Sequence, residues 1–204
     1  MPMPEYLEFE QGTPEWHEAR RGVATASRFK DVLAKGQGKT RQKYLYELAG
    51  EIITGEPMPS YSNAHMERGH EMEPDAREMY AFTQGVDPVQ VGFVKEGRAG
   101  CSPDSLVGDD GLLEIKTKLP HLMVECIERG TFPPEHVAQC QGALWVTGRD
   151  WIDLAVYWPG FPLFVTRALR DEKKIAEIDK GVNAFTADLD DVVRRVKAYG
   201  GVAA

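Results

Sequence analysis

Three cysteines in 204 residues, Cys101, Cys126 and Cys140, are too few and too far apart to build a disulfide framework or a CxxC motif. An odd, sparse set fits a reducing cytosol, with the thiols acting as small buried apolar groups. Long apolar runs are missing too: none approaches the roughly 20 residues of a membrane span. The opening stretch Met1-Pro2-Met3-Pro4-Glu5-Tyr6 has neither a charged n-region nor an apolar h-region, so no secretory signal and no membrane association are expected. Positive charge is scarce, with 24 Lys and Arg against 32 Asp and Glu, a net charge of -8. That balance argues against nonspecific binding to polyanions unless bases line one channel while acids face outward or hold a metal. Internal repeats, low-complexity tracts and linkers are absent as well. A chain of this length is expected to form one domain, residues 1–204, with a substantial core.

What the sequence does contain is concentrated in residues 101–118. The turn Gly108-Asp109-Asp110-Gly111 leads into a short, mostly apolar strand from Leu112 to Lys116. Side chains alternate along a strand, so Glu114 and Lys116 share one face while Leu113 and Ile115 point the other way. If the preceding segment pairs with this strand as a hairpin, Asp104 lies beside Glu114. A bland account is a Glu114–Lys116 ion pair on a solvated face. A sharper one is a metal site, because buried charge is costly unless it is paired or metal-bound. Asp104, Glu114 and the Ile115 carbonyl then supply oxygen ligands for a hard cation such as Mg²⁺, and Lys116 orients or deprotonates a water.

The rest of the chain reads as helices around strands. Thr13 caps a helix over 13–21, with Pro14 and Glu15 in its first turn and Trp16 and Arg20 on one face. Ser27 is the expected N-cap of a helix from Arg28 to about Leu33. With Arg20 nearby that helix start would also hold a phosphate, although capping alone accounts for Ser27. The basic stretch 35–43 lacks the spacing of a P-loop. Helices follow over 40–54 and 62–84, the second with a kink or break expected near Glu73 because of Pro74. Glu73 shares a face with Met66 and Gly69. Strands are expected over 89–95 and 98–102, then helices over 122–129 and from Pro133 to Thr147. The latter carries Gln139 and Gln141. Strands 151–158 and 163–169 and a long amphipathic helix over 171–199 complete an α/β (α+β) arrangement, one central mixed sheet flanked by helices.

Taken together, the ordered set Trp16-His17-x-x-Arg20, Thr25-Ala26-Ser27, Glu73 with Asp75-Ala76-Arg77, Cys101-Ser102-Pro103-Asp104, Glu114-x-Lys116, Ala138-Gln139-x-Gln141 and Trp145-Val146-Thr147 resembles the PD-(D/E)xK nucleases. Within them it is similar to the phage lambda exonuclease family of recombination nucleases. The resemblance implies a restriction-endonuclease-like core. It implies a Mg²⁺-dependent 5′→3′ exonuclease that digests one strand of linear double-stranded DNA from 5′-phosphorylated ends, leaving 3′ overhangs for single-strand annealing recombination. It further implies two Mg²⁺ ions per active site, with Mn²⁺ as substitute, held by Asp104, Glu114 and Ile115. Lys116 would activate the water, and Glu73 and Gln141 would complete the active site, Gln141 being preferred over Gln139 for its spacing to Trp145. Arg20, Ser27 and Ser102 match the pocket for the terminal 5′-phosphate, and Met66 the wedge that splits the last base pair.

The family also implies a homotrimeric ring, a single-strand annealing protein as partner, and a phage or prophage protein in the bacterial cytoplasm. An arginine that some relatives place on the duplex has no counterpart, so Lys39, Arg41, Lys118 and His121 stand as substitutes. Two other readings stay open: a structure-selective or restriction-like endonuclease of the same fold, and a non-catalytic DNA-end-binding partner of an annealing protein. Covalently closed circles, cut only under the endonuclease reading, separate the first from the exonuclease.

Overall fold

The computed structural model describes residues 3–34, 39–58 and 64–199, with the side chains of 64–66 outside the description. The elements run β1 (Glu5–Leu7), α1 (Pro14–Arg20), β2 (Ala24–Thr25), a 3₁₀ turn (Ala26–Arg28), α2 (Phe29–Val32), α3 (Lys39–Thr54), α4 (Ala64–Gln84) and β3 (Pro88–Val89). There follow β4 (Phe93–Glu96), β5 (Ala99–Cys101), β6 (Ser105–Val107), β7 (Gly111–Thr117), α5 (Pro120–Arg129), a 3₁₀ turn (Pro134–His136), α6 (Val137–Thr147), β8 (Trp151–Tyr157), β9 (Phe164–Leu169) and α7 (Glu172–Tyr199).

The strands form the expected mixed α/β architecture, but in two sheets rather than one: β1-β4-β5-β2 and β3-β6-β7-β8-β9. The expected strand over 89–95 divides between them. A β-carbon at Gly92 would sit 1.8 Å from the Phe9 carbonyl oxygen. The chain therefore packs backbone on backbone there, and the run breaks into β3 on one sheet and β4 on the other.

The five-stranded sheet is built on β7 and β8, which pair in parallel over seven residues, from Gly111 opposite Trp151 to Thr117 opposite Tyr157. Parallel neighbours need a crossover, supplied here by α5 and α6. On one side, Phe29, Leu48, Leu144, Phe185 and Leu189 pack with Leu112 and Ile152 into the largest core cluster. α7 joins it through Ile175, Ile178, Val182, Phe185, Leu189, Val192 and Val193, spaced three or four apart as one helical face requires. On the other side, Ala76 and Tyr80 of α4 pack with Leu113, Ile115 and Ala155. α4 runs through Pro74 as one helix, so the chain does not break there. Buried Asp153 on β8 is matched there by Arg167, at 2.8 and 2.9 Å, and by the Tyr80 hydroxyl at 2.7 Å.

Candidate active site

β7 carries the first part of the site. Its register with β6, Ser105 opposite Leu113, sets Asp104 just beyond the end of the hairpin ladder. The Asp104 N–H donates to the Leu113 carbonyl at 3.1 Å, so the Leu113 carbonyl faces the β6 edge. Two residues on, Ile115 presents its N–H and C=O to that same edge, past the point where β6 pairs. The Ile115 N–H donates to Asp104 Oδ2 at 2.5 Å. Its carbonyl thereby points to the side where Asp104 stands, the third oxygen that the sequence assigns.

Glu114 is 4% exposed, not on a solvated face. Its Oε1 accepts from Lys116 Nζ at 2.6 Å and from Gln139 Nε2. Burial, with Glu114 and then Glu73 nearby, pushes the Asp104 carboxyl well above the usual carboxylate range. Burial works against charge on Lys116, but Glu114 and Asp104 overcome it and hold the ammonium above the usual lysine range. The donor set of carboxylates and a backbone carbonyl fits a hard divalent cation, and mutually repelling buried carboxylates favour one. Among the described residues no three His, Cys, Asp or Glu side chains gather around one point. Asp104, Glu114 and the Ile115 carbonyl would hold such an ion with water and substrate oxygens in the remaining positions.

Glu73 reaches the site from α4, clamped by an ion pair to Arg77 one turn on. Arg77 Nε donates to Ser105 Oγ at 3.0 Å and its Nη2 to the Asp104 carbonyl at 3.4 Å. Arg77 thus ties α4 to the start of β6, a role that sequence analysis did not assign. The i, i+4 spacing from Glu73 was the available signal.

The two glutamines of α6 separate. Gln141 is a correction: its Nε2 donates to the Leu169 carbonyl at 2.8 Å and its Oε1 accepts from the Asp171 N–H at 2.9 Å. It pins the β9–α7 junction and does not approach Glu114. Residues two apart on a helix point about 200° apart, so only one of the pair can face the carboxylates. That one is Gln139.

The three residues expected to take a phosphate do converge. Arg20 Nη1 donates to Ser102 Oγ at 3.2 Å, and its guanidinium lies 4.0 Å from the Trp16 ring centroid. Trp16 Nε1 also donates to Ser102 Oγ, at 3.0 Å, and to the Gly92 carbonyl. Burial lowers the Arg20 pKa, the mark of a cation held away from water. Ser27 is not an N-cap. The 3₁₀ turn begins one residue earlier with extended Thr25 as its cap, which leaves the Ser27 hydroxyl exposed, 3.4 Å from Thr25 Oγ1.

Arg20, Ser27 and Ser102 line a cleft of about 40 Å³ together with Glu114 and Gln139. Gly142 lets α6 come close enough to form it, since a β-carbon there would lie 2.3 Å from the Phe29 ring. Cys101 lines the cleft as well, and burial pushes its thiol and that of Cys140 upward, so both stay protonated packing groups. The Met66 side chain lies outside the described residues. Of the expected substitutes for a duplex contact, Arg41 pairs with Asp188 on α7, Lys118 pairs with Glu135, and Lys39 and His121 are exposed.

Residues 15–150 match the model of the YqaJ-like viral recombinase domain. A crystal structure of an alkaline exonuclease, LHK-Exo, from Laribacter hongkongensis is similar with a TM-score of 0.85 at 38% identity, covering 93% of this chain and 98% of that one. LHK-Exo in complex with dAMP gives a TM-score of 0.86 at 39% identity over the same shares. A phage-related exonuclease from Haemophilus somnus 129PT, at 14% identity and a TM-score of 0.66, covers 85% of this chain and 96% of that one and shares the fold. No curated protein matches the chain.

Proposed function

The chain belongs to the family of YqaJ-like viral recombinase domains, and from that premise we propose that it is a Mg²⁺-dependent 5′→3′ exonuclease acting on linear double-stranded DNA. It is a nuclease with an exonuclease fold. The observation that supports the finer reading most is that Arg20, Ser27 and Ser102 line one cleft together with Glu114 and Gln139. An end-binding subsite thus adjoins the carboxylates. Bound at Asp104, Glu114 and the Ile115 carbonyl, Mg²⁺, two ions per site with Mn²⁺ as substitute, would polarise the phosphoryl group and stabilise the attacking and leaving oxygens.

The chain's own residues do the rest. Arg20 and the Ser102 and Ser27 hydroxyls grip the terminal 5′-phosphate, charge-assisted and shielded by Trp16, which fixes the strand's polarity. Lys116, anchored on Glu114, orients the water that attacks the next phosphorus, and the P–O3′ bond breaks. Gln139 holds Glu114 in place, and Glu73, aligned by Arg77, adds a carboxylate at the rim. The relative seen with dAMP supports a mononucleotide as product. Met66 serves as wedge at the last base pair. A homotrimeric ring threaded by the duplex, a single-strand annealing protein that takes the 3′ overhang, and a phage or prophage origin with work in the bacterial cytoplasm complete the reading. Among the described residues no helix is long and apolar enough to cross a membrane.

Linear and covalently closed duplex, each with Mg²⁺ and with EDTA, test this reading. Loss of the linear substrate alone, and only with Mg²⁺, is the expected result. Cutting of the circle makes the protein an endonuclease. Binding without cutting leaves an end-binding partner.

A further inference from the structure

Outward from Glu114, two rows of side chains face each other. Strand alternation puts Glu114 and Lys116 on one face, roughly 6.6 Å apart, and Lys118 follows just past the end of β7. Opposite them stand Gln139 of α6 and, on the turn that leads into it, His136 and Glu135. Gln139 Nε2 donates to Glu114, and Lys118 Nζ lies 2.6 Å from Glu135 Oε1. The Lys118 side chain is 16% exposed and the Glu135 side chain 42%. Between the rows, the Nε2 atom of His136 is buried without a hydrogen-bond partner, 3.9 Å from the Glu135 carboxylate. Burial opposes protonation of this imidazole, and the charges of Lys116 and Lys118 add to it. Lys116 is held by Glu114, whereas Lys118 and the unpaired ring nitrogen meet at Glu135. A buried hydrogen-bonding atom with no partner calls for a ligand, and lysines beside a site that cuts phosphodiesters call for a phosphate.

We propose that Glu135 is an internal stand-in for a phosphate of the substrate strand, displaced from Lys118 when DNA binds. The proposal rests on the exonuclease reading above. A backbone laid along β7 with its scissile phosphate at Glu114 and Lys116 brings a neighbouring phosphate to Lys118. That phosphate takes the Lys118 ammonium and the His136 Nε2–H, and the half-exposed Glu135 carboxylate swings into water, where it is readily rehydrated. The swap makes Lys118 a positioning residue for the strand and Glu135 a brake on binding.

Fluorescence anisotropy with a 5′-phosphorylated linear duplex, in Ca²⁺ so that binding is read without turnover, tests the swap beside a digestion assay in Mg²⁺. Glu135→Gln tightens binding roughly fivefold, the change expected when a half-exposed ion pair no longer has to open. Lys118→Ala weakens binding and lowers the slope of log K against log salt by about one. His136→Ala weakens binding with the slope unchanged. In the Lys118→Ala background, Glu135→Gln has no effect. Should Glu135→Gln not fold, Glu135→Asp, too short to reach Lys118, replaces it. A Glu135 variant that binds no tighter, or that tightens equally without Lys118, overturns the proposal. Wild-type digestion with unmoved variants overturns the swap alone, whereas wild-type protein that neither binds nor digests linear duplex overturns the exonuclease reading itself.

Discussion

Gln139 and Gln141 are the same residue type on the same helix, and the structure predicts opposite outcomes for losing each. Gln141→Ala strips the partners from the Leu169 carbonyl and the Asp171 N–H, the two backbone groups at the β9–α7 junction. Both are partly buried, so together they cost roughly 1–3 kcal/mol when left unpaired. In a chain of this size about 1 kcal/mol moves Tm by about 2–4 °C, so a drop of roughly 2–12 °C follows. Turnover per folded molecule stays within about threefold of wild type, because nothing at Glu114 changes. Gln139→Ala does the reverse. It removes one hydrogen bond from buried Glu114, whose Oε1 keeps its pairing with Lys116, so the loss of stability is about 1 kcal/mol. It frees Glu114 to move, and misplacing a carboxylate by an ångström lowers the rate by about 100-fold. Thermal unfolding and digestion of linear duplex well below Tm measure both effects. A Gln141→Ala protein of normal stability and lost turnover, or a Gln139→Ala protein of normal turnover, refutes the assignment.

Three further predictions concern neighbouring groups. Lys116→Ala lowers cleavage at least about 100-fold while a gel-shift assay still detects DNA binding, since the ammonium acts on water and not on the strand's grip. Arg20→Ala removes most of the rate preference for 5′-phosphate over 5′-hydroxyl ends, seen by comparing initial rates on the two substrates. His136 is pushed down to about 4 by burial and by Lys116, Lys118 and Lys30 across from it, with Glu135 the opposing neighbour. The unfolded imidazole takes up a proton near 6.5 and the folded one does not, so this contribution to stability is whole above about pH 6.5 and is lost as pH falls toward 4. Urea unfolding between pH 7 and 4.5 checks it: the acid-side loss is smaller in His136→Gln.

Much of this was legible in the sequence, and for identifiable reasons. The strand at Trp151–Tyr157 and the helix at Glu172–Tyr199 follow from apolar runs and periodicity, both local properties. Asp104 beside Glu114 follows from a tight turn and strand alternation. What stayed hidden depends on contacts distant in sequence. The split into two sheets turns on Gly92 meeting the Phe9 carbonyl. The choice between Gln139 and Gln141 turns on which face of a helix buried nearly all round meets β7, and spacing to Trp145 carries no information about that. Ser27 reads as a cap because its residue type favours one, yet the turn starts a residue earlier and leaves its hydroxyl exposed. His136 has no local signal at all: it sits in a Pro-rich turn, and only the fold brings it to Lys118.

A linear duplex carrying a 5′-phosphate on one strand only, with each strand labelled separately, tests the central claim most directly. With Mg²⁺, the phosphorylated strand is predicted to shorten from its 5′ end to mononucleotides while its complement survives as a single strand. Equal loss of both strands, shortening from the 3′ end, or loss of the hydroxyl-ended strand first contradicts an exonuclease whose polarity is set by Arg20, Ser27 and Ser102.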